Sequence, residues 1–523
     1  MKRLFYYLIN TACIAFYKKS YETFMEDFSL EKIKDVQQEK LLTLLEQQAE
    51  TEYGKKYDFK GIKGIKEYGE KVPLSDYETY RPYIERLEQK KAPLLMHEVL
   101  IAFEPTSGST KASKLIPYTK MLKEEFQWGI KPWLYDLYTA YPAIRWGKSY
   151  WSITPATSRQ NMTPSGIPIG FEEDGDYFGK LEKYLMDCIF VSPKGIKAEI
   201  DMDKFYEKTV LALLKEKNLT LISVWNPTYL LLLLEYLDTH QESLLLKVPK
   251  RRRRQIEKAV RDKHYEAIWQ KLVVISCWCD ANAQVYAEQI QALFPNTFIQ
   301  PKGLLSTECF TSFPLVGEEG SVMSMYSHFF EFLPLNKEEK TENETVGIEA
   351  LEKNKAYEVV VTTAGGFYRY RTYDVIEVVG FKEAMPLVRF IGKNDKVCDL
   401  FGEKLHEDFC KVCIETLQLN ETFYLFAPHK DHYVLYIQSE ELPSVEQVEK
   451  RLRQNFHYDY CRHLGQLKPI KLFILTGNPK KEYSEGCMSK GQKLGDIKPT
   501  YLALTEGWDT IFTGYYEEQA VEL

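Results

Sequence analysis

Residues 31–50, EKIKDVQQEKLLTLLEQQAE, set apolar positions at steps of three and four, the period of an amphipathic helix. Most of the first hundred residues follow the same pattern. Val72-Pro73-Leu74-Ser75-Asp76 interrupts it with a stop and a new helix cap. From Val99 onward, short apolar runs alternate with helical stretches. VLIAF precedes a Ser/Thr-rich loop, LTLISVW precedes a leucine-rich helix, and LVVISCW precedes DANAQVYAEQIQALF. Strands alternating with helices predict a largely parallel α/β sheet.

The pattern changes near residue 357. YEVVVTT, then Ala364-Gly365-Gly366, then FYRYRTYDVIEVVG predicts a hairpin with a glycine turn. FYLFAP and YVLYIQ, with HKDH between them, predict a second hairpin. Ser444 and Gln447 are spaced as a capping box for VEQVEKRLRQNF, and PIKLFIL is a further strand. These last elements form a smaller unit. The expected boundary lies at Gly392-Lys393, giving a large N-terminal α/β domain over 1–392 and a small C-terminal α+β domain over 393–523.

Composition narrows the partners. The 523 residues carry a formal net charge of -7, whereas phosphate-backbone binding usually shows as a basic domain. Nucleic acid is therefore not the expected main partner. The basic run Lys250–Arg254, KRRRR, reads as a solvated helix start after Pro249. The N-terminal LFYYLINTACIAF is broken by Asn10 and Thr11 and is too short to span a bilayer, so it reads as an amphipathic helix packed on the body. No stable membrane insertion is expected. The ten cysteines do not space as a disulfide framework. Cys277 and Cys279 suit a buried strand. His406, Cys410 and Cys413 fall on one helix face, where packed free thiols are expected rather than zinc. A reducing, cytoplasmic compartment fits.

The candidate chemistry begins with EPTSGSTKASKLIPYT, Glu104 to Thr119. Thr106, Ser107, Ser109 and Thr110 supply hydroxyls, Gly108 permits a tight turn, and Lys111 and Lys114 supply positive charge. Such a loop can wrap phosphate oxygens, although it is not a Walker loop. On its own a Ser/Thr/Gly cluster is ordinary loop material. Further candidates follow downstream. Ser306-Thr307-Glu308 comes after the strand-like NTFIQ, and a carboxylate there could hold Mg²⁺. Asp374 in YRTYD could accept both hydroxyls of a ribose. Lys393, Asp395 and Lys404 lie in the polar stretch at the expected boundary, and Lys498 lies in the late loop GDIKP.

Taken together, these segments resemble the adenylate-forming superfamily of acyl-CoA synthetases, firefly luciferase and peptide-synthetase adenylation domains. Within it, the chain is most similar to the acyl acid–amido synthetases that conjugate plant hormones such as auxin and jasmonate to amino acids, and to their bacterial relatives. VPLSDYETYRPYI, GIPIGF, VWNPTYLLLLLEYL and FFEFLP extend the resemblance over nearly the whole chain. The resemblance implies a large adenylation domain with a mobile C-terminal lid and an active site between them. It implies ATP and Mg²⁺, with a small carboxylic acid and an amine, that of an amino acid, as substrates. By motif, Thr106–Thr110 and Lys114 form the phosphate loop, Ser306 and Thr307 lie by the nucleotide, and Glu308 meets Mg²⁺. Asp374 takes the ribose, Lys393 and Asp395 fall in the hinge, Lys404 contacts nucleotide, and Lys498 is the catalytic lysine of the lid. Lys111, Leu304-Leu305 and Tyr373 depart from the family pattern, Tyr373 standing where glycine is usual. An acyl-CoA ligase and a non-catalytic nucleotide- or acyl-binding protein remain as alternatives.

Overall fold

A computed structural model describes residues 2–89, 92–105, 114–152, 161–170, 188–193, 196, 199, 201–335, 344–394, 397–398, 400–401, 403, 405–463, 466–490, 492, 494 and 497–517. They fall into two compact units, one running to Gly392 and one from Lys393.

The first unit opens on helices. The amphipathic N-terminal helix Lys2–Ala15 buries Tyr6, Asn10, Cys13 and Ile14. Asn10 donates from Nδ2 to the carbonyls of Arg145 and Gly147, at 3.0 and 3.1 Å, which explains a polar residue in the middle of an apolar run. The helix Leu30–Gln48 is capped by Ser29, whose side chain accepts from Lys32 N–H. Its buried Gln37 donates to the carbonyls of Met325 and His328 and accepts from Phe330 N–H, tying the helical lead to a distant strand.

The predicted parallel sheet is present, but VLIAF is not part of it: Ala102–Pro105 pairs antiparallel with Leu115–Tyr118 in a separate sheet. Lys148–Trp151, Leu219–Ser223, Val274–Ser276 and Phe298–Gln300 lie side by side in chain order, all parallel. Among the described residues it is one of three sheets in this unit. A six-stranded sheet has the order Phe329–Pro334, Ala356–Thr362, Tyr370–Lys382, Met385–Lys393, Ser321–Met323, Ser312–Pro314. Its assigned pairings are antiparallel. Four short strands around Ala102–Pro105 make the third. Two of the six strands have only three residues, too few for an alternation pattern to show in the chain.

The glycine-turn hairpin forms as expected. Gly366 takes a φ of 91°, and a Cβ there would lie 2.7 Å from Leu95 Cβ, so the turn needs a residue without one. The second unit has its own core and a four-stranded sheet, Glu421–His429, His432–Ser439, Lys471–Leu475 and Gly514–Tyr516. The Ser444–Gln447 capping box closes reciprocally. Among the described residues, no helix is long and apolar enough to cross a membrane.

Two local expectations are corrected. KRRRR does start a helix, Lys250–Arg261, but Arg252 is buried rather than solvated. Its guanidinium donates to the carbonyls of Leu214, Glu216 and Ile268, satisfying backbone at the end of the helix Met202–Lys215. His406 is the exposed N-cap residue of Glu407–Glu415, off the face where Cys410 and Cys413 are buried.

Arg369 joins the helical lead to the six-stranded sheet. It donates to both carboxylate oxygens of Glu331, to the carbonyls of Gly69 and Val72, and to Thr345 Oγ1. Both charges are buried, with side chains 5% and 6% exposed. Removing one partner of such a pair strands the other in a dry interior. Arg369→Met should therefore cost about 3–5 kcal/mol in urea unfolding. A loss below about 1 kcal/mol would show that the pair is wetter than its burial indicates.

Candidate functional site

The site is built in the first unit, around the turn Ser306–Phe310. Ser306 N–H donates to Cys309 O, Cys309 N–H donates to Ser306 Oγ, and Leu305 pairs with Phe310. The turn thus closes on itself and presents Thr307 and Glu308 at its tip. Tyr118, at the end of the strand Leu115–Tyr118, donates its hydroxyl to Thr307 O at 2.7 Å.

The turn is anchored from below by His328. Phe310 N–H donates to His328 Nε2 at 3.0 Å, so that nitrogen carries no proton and the imidazole is neutral with its hydrogen on Nδ1. Nδ1 then donates to Glu125 Oε2 at 2.9 Å. Glu125 sits on the long helix Lys120–Ala140. The same carboxylate accepts from Ala364 N–H in the glycine turn and pairs with Lys40 Nζ at 3.3 Å. Burial alone would raise the Glu125 carboxyl, but Lys40, His328 and the Ala364 amide outweigh it and hold it below its ordinary 4.5. Burial pushes His328 below its ordinary 6.5 despite the pull of Glu125.

Asp374 reaches the same region from the strand Tyr370–Lys382. Between Arg371 and Val375 the pairing with Ala356–Thr362 slips by an irregularity. Tyr373 takes a left-handed φ of 59° there, and Asp374 N–H donates to Thr372 Oγ1. Tyr373 is steadied by Arg371, whose guanidinium carbon lies 4.8 Å from its ring centroid and which also pairs with Glu358. Asp374 is buried and Glu308 is half-buried. Both carboxylates act on the same two neighbours. After burial, which dominates, Glu308, Tyr77, Tyr373 and Asp374 hold the Tyr370 hydroxyl well above its ordinary value. Burial, with smaller contributions from Glu308 and Asp374, pushes the Cys309 thiol up to about 12.

Lys114 joins the group through Tyr77, its Nζ lying 5.6 Å from that ring's centroid. Tyr77 in turn exchanges hydrogen bonds with Leu115. Thr106, Ser107, Gly108, Ser109 and Thr110 lie outside the described residues, as do Lys111, Asp395 and Lys404. Lys393 ends the strand Met385–Lys393. Lys498 belongs to the second unit, where Tyr483 donates to its carbonyl at 3.1 Å.

Glu308 makes no hydrogen bond or ion pair with another described residue. No cluster of three or more His, Cys, Asp or Glu suited to a metal occurs among the described residues. A lone half-buried carboxylate fits Mg²⁺, which usually takes one or two protein oxygens and completes its shell with phosphates and water. Glu125, His328, Tyr118 and Tyr370 were not singled out in the sequence. Their only local trace is position: Glu125 opens on the helix after the Ser/Thr-rich loop, and His328 immediately precedes FFEFLP.

Comparison with known proteins accounts for most of the chain. Models described as the GH3 family N-terminal, central and C-terminal domains match residues 23–252, 321–393 and 403–506. Indole-3-acetic acid-amido synthetase GH3.4 of Arabidopsis thaliana is 22% identical over 90% of each chain. Jasmonoyl–L-amino acid synthetase GH3.5 of Oryza sativa subsp. japonica is 35% identical over a shorter stretch, 17% of each chain. The solved structure of AtGH3.15 acyl acid amido synthetase in complex with 2,4-DB superposes with a TM-score of 0.77 at 18% identity, covering 98% of each chain. That likeness is one of fold.

The Glu125–His328 pair makes acid stability testable. Both groups have folded-state values below their ordinary ones, so the unfolded chain binds protons first as pH falls. Their contribution is complete above pH 6.5. The His328 share declines from about 6.5 downward, and the Glu125 share from about 4.5 downward. In urea titrations between pH 8 and 5, wild type should lose more stability than His328→Gln. Parallel curves would show that His328 titrates alike in both states.

Proposed function

The chain belongs to the GH3 family, and from that premise we propose that it is an ATP-dependent acyl acid amido synthetase. It activates a carboxylic acid as the acyl-adenylate, releasing pyrophosphate, and transfers the acyl group to the amine of an amino acid, releasing AMP. The observation that carries this reading is the convergence of Glu308 and Asp374. They come from segments more than sixty residues apart and bear on the same Tyr370 and Cys309.

The chemistry explains why such groups would be held rigidly. A carboxylate and a triphosphate repel each other, so reaction needs both fixed at close range before charge shifts. Glu308 stands on a turn whose backbone is held by Tyr118 and His328, and its free oxygens can receive a cation without breaking an existing bond. Mg²⁺ bound there with the phosphates would neutralise charge developing on the nucleotide. Asp374, at the backbone irregularity, would accept the two ribose hydroxyls. Lys114, next to Tyr77, would offset phosphate charge. For Ser306 and Thr307 the support is their place beside Glu308. For Thr106–Thr110, Lys393, Asp395, Lys404 and Lys498 it is the match of their sequence motifs.

The reading is tested by pyrophosphate release across a panel of carboxylic acids, followed by comparison of amino acids with coenzyme A as acceptors. Release with at least one acid and amide formation with an amino acid are expected. Thioester in place of amide would make the chain an acyl-CoA ligase, and no release with any acid would leave it a binding protein.

Two substitutions refine the assignment. Glu308→Gln should lower Mg²⁺-dependent pyrophosphate release by about a hundredfold or more, since loss of a charged metal ligand costs several kcal/mol of transition-state stabilisation. Its unfolding curve should stay at wild type. Unchanged release at limiting Mg²⁺ removes Glu308 from the site. Asp374→Ala should weaken ATP binding by about 1.5–3 kcal/mol, the value of a charge-assisted hydrogen bond. Calorimetric titration checks this, and wild-type affinity in a folded variant would remove the ribose assignment.

A further inference from the structure

The parallel sheet ends in a row of polar side chains whose hydrogen-bonding capacity is not used up. Trp151, Ser223, Ser276 and Gln300 are the last residues of the four strands and are paired in register across the sheet. In-register residues of parallel strands point to the same face, so the four side chains stand side by side. Ser223, Ser276 and Gln300 are 3%, 1% and 1% exposed. Yet Trp151 Nε1, Ser276 Oγ and Gln300 Nε2 are buried without a hydrogen-bond partner among the described residues. Buried polar groups are nearly always paired, so three orphans in one row call for an absent acceptor.

Lys302 reaches over the same row. It is buried, and its Nζ donates to Ser223 Oγ at 2.7 Å. The rings of Trp225, Trp133 and Trp151 surround it at 4.4, 5.0 and 5.3 Å from Nζ to centroid. Gln300 meets the same ring cluster, since its Oε1 accepts from Trp133 Nε1. Indole faces attract a cation but do not neutralise it. No carboxylate among the described residues lies within ion-pair distance of Lys302, and burial pushes its amine down to about 7. Lys302 Nζ, Trp151 Nε1, Gln300 Nε2 and Ser276 Oγ thus belong to one buried group of donors at the sheet ends. These donors lie at the carboxyl ends of parallel strands, where open α/β sheets take their ligands. Four residues further along the chain stands the Ser306–Glu308 turn.

We propose that Lys302, with Trp151, Ser276 and Gln300, forms a buried receptor for the carboxylate of a substrate. A carboxylate offers two oxygens and about four lone pairs, which match these donors. Assigning it to a substrate rests on the synthetase reading above. The group can arrive on the acid or on the amino acid, and the two arms of the test separate these sources.

The first measurement needs no catalysis. The full chain is titrated with butanoate, succinate and glutamate, and tryptophan fluorescence is followed in wild type, Lys302→Met, Lys302→Arg and Ser276→Ala. Lys490→Met serves as a control, because Lys490 stands 3.9 Å from the Trp508 ring in the other unit. A saturable change with at least one probe is expected in wild type and in the control. Affinity should fall at least tenfold in Lys302→Met, fall less in Lys302→Arg, and fall severalfold in Ser276→Ala. Lys302→Met should also unfold at a temperature no lower than wild type, because it removes a buried unpaired charge. No saturable change, or the same change in Lys302→Met, overturns the proposal. The second measurement assigns the source. If the acid carries the group, Lys302→Met raises the KM for acid in pyrophosphate release before any amine is added. If the amino acid carries it, the KM for amino acid rises in amide formation while that for a plain amine stays. Equal rises for ATP, acid and amino acid would mark a merely structural lysine and overturn the proposal. Absence of pyrophosphate release with every acid counts against the synthetase reading alone, and the fluorescence titration then decides the receptor by itself.

Discussion

One buried carboxylate, that of Glu125, organises the region on which the candidate chemistry stands. It takes a hydrogen bond from His328, another from the Ala364 amide, and an ion pair from Lys40. Each partner belongs to a different part of the first unit: the approach to the six-stranded sheet, the glycine turn of its central hairpin, and the helical lead. A carboxylate alone in that interior would be costly, and with three donors it becomes a junction. Through His328 it also fixes the proton-free nitrogen that receives Phe310 N–H. The turn carrying Glu308 is therefore held by a side chain that is itself held, and Glu308 needs no partner of its own to keep its place.

Backbone strain supplies the second device. Arg369, just before the strand Tyr370–Lys382, and Tyr373 within it both take left-handed conformations, at φ 48° and 59°. A left-handed non-glycine residue costs roughly 1–2 kcal/mol, so such positions persist only where surroundings over-determine them. Here they are over-determined. Arg369 is clamped by Glu331 and the carbonyls of Gly69 and Val72, and the Tyr373 ring is covered by Arg371. The φ of Tyr373 lies in the region glycine adopts freely, and the irregularity that presents Asp374 holds a tyrosine there.

The parallel sheet contributes differently. Its strands are three to five residues long and end together. Their last side chains and the residues just beyond them, Trp225 and Lys302, gather aromatic surface around one buried ammonium. The cation is tolerated through indole faces and a single hydroxyl, an arrangement weaker than the carboxylate pairing used for Arg369. The same interior thus treats two cations in opposite ways, and the contrast marks the lysine as chemically exposed although it is sterically buried.

What the sequence determined by itself was local. Apolar spacing marked the helix Leu30–Gln48, the strands Leu219–Ser223 and Val274–Ser276 of the parallel sheet and both hairpins, because such patterns are written into neighbouring residues. The Ser444–Gln447 box is specified within four consecutive residues. Motif order likewise singled out Ser306–Glu308 and Asp374. Tertiary structure decided what spacing cannot carry. His328 and Glu125 are 203 positions apart, and no periodicity links them. Arg252 lies in a run of five basic residues, and only the packing of a neighbouring helix end chose it for burial. The row at the sheet ends depends on register between strands separated by up to seventy residues, which is set by the folded sheet. Local conformation is a property of adjacent residues, whereas burial, charge pairing and convergence are properties of surfaces that meet only after folding.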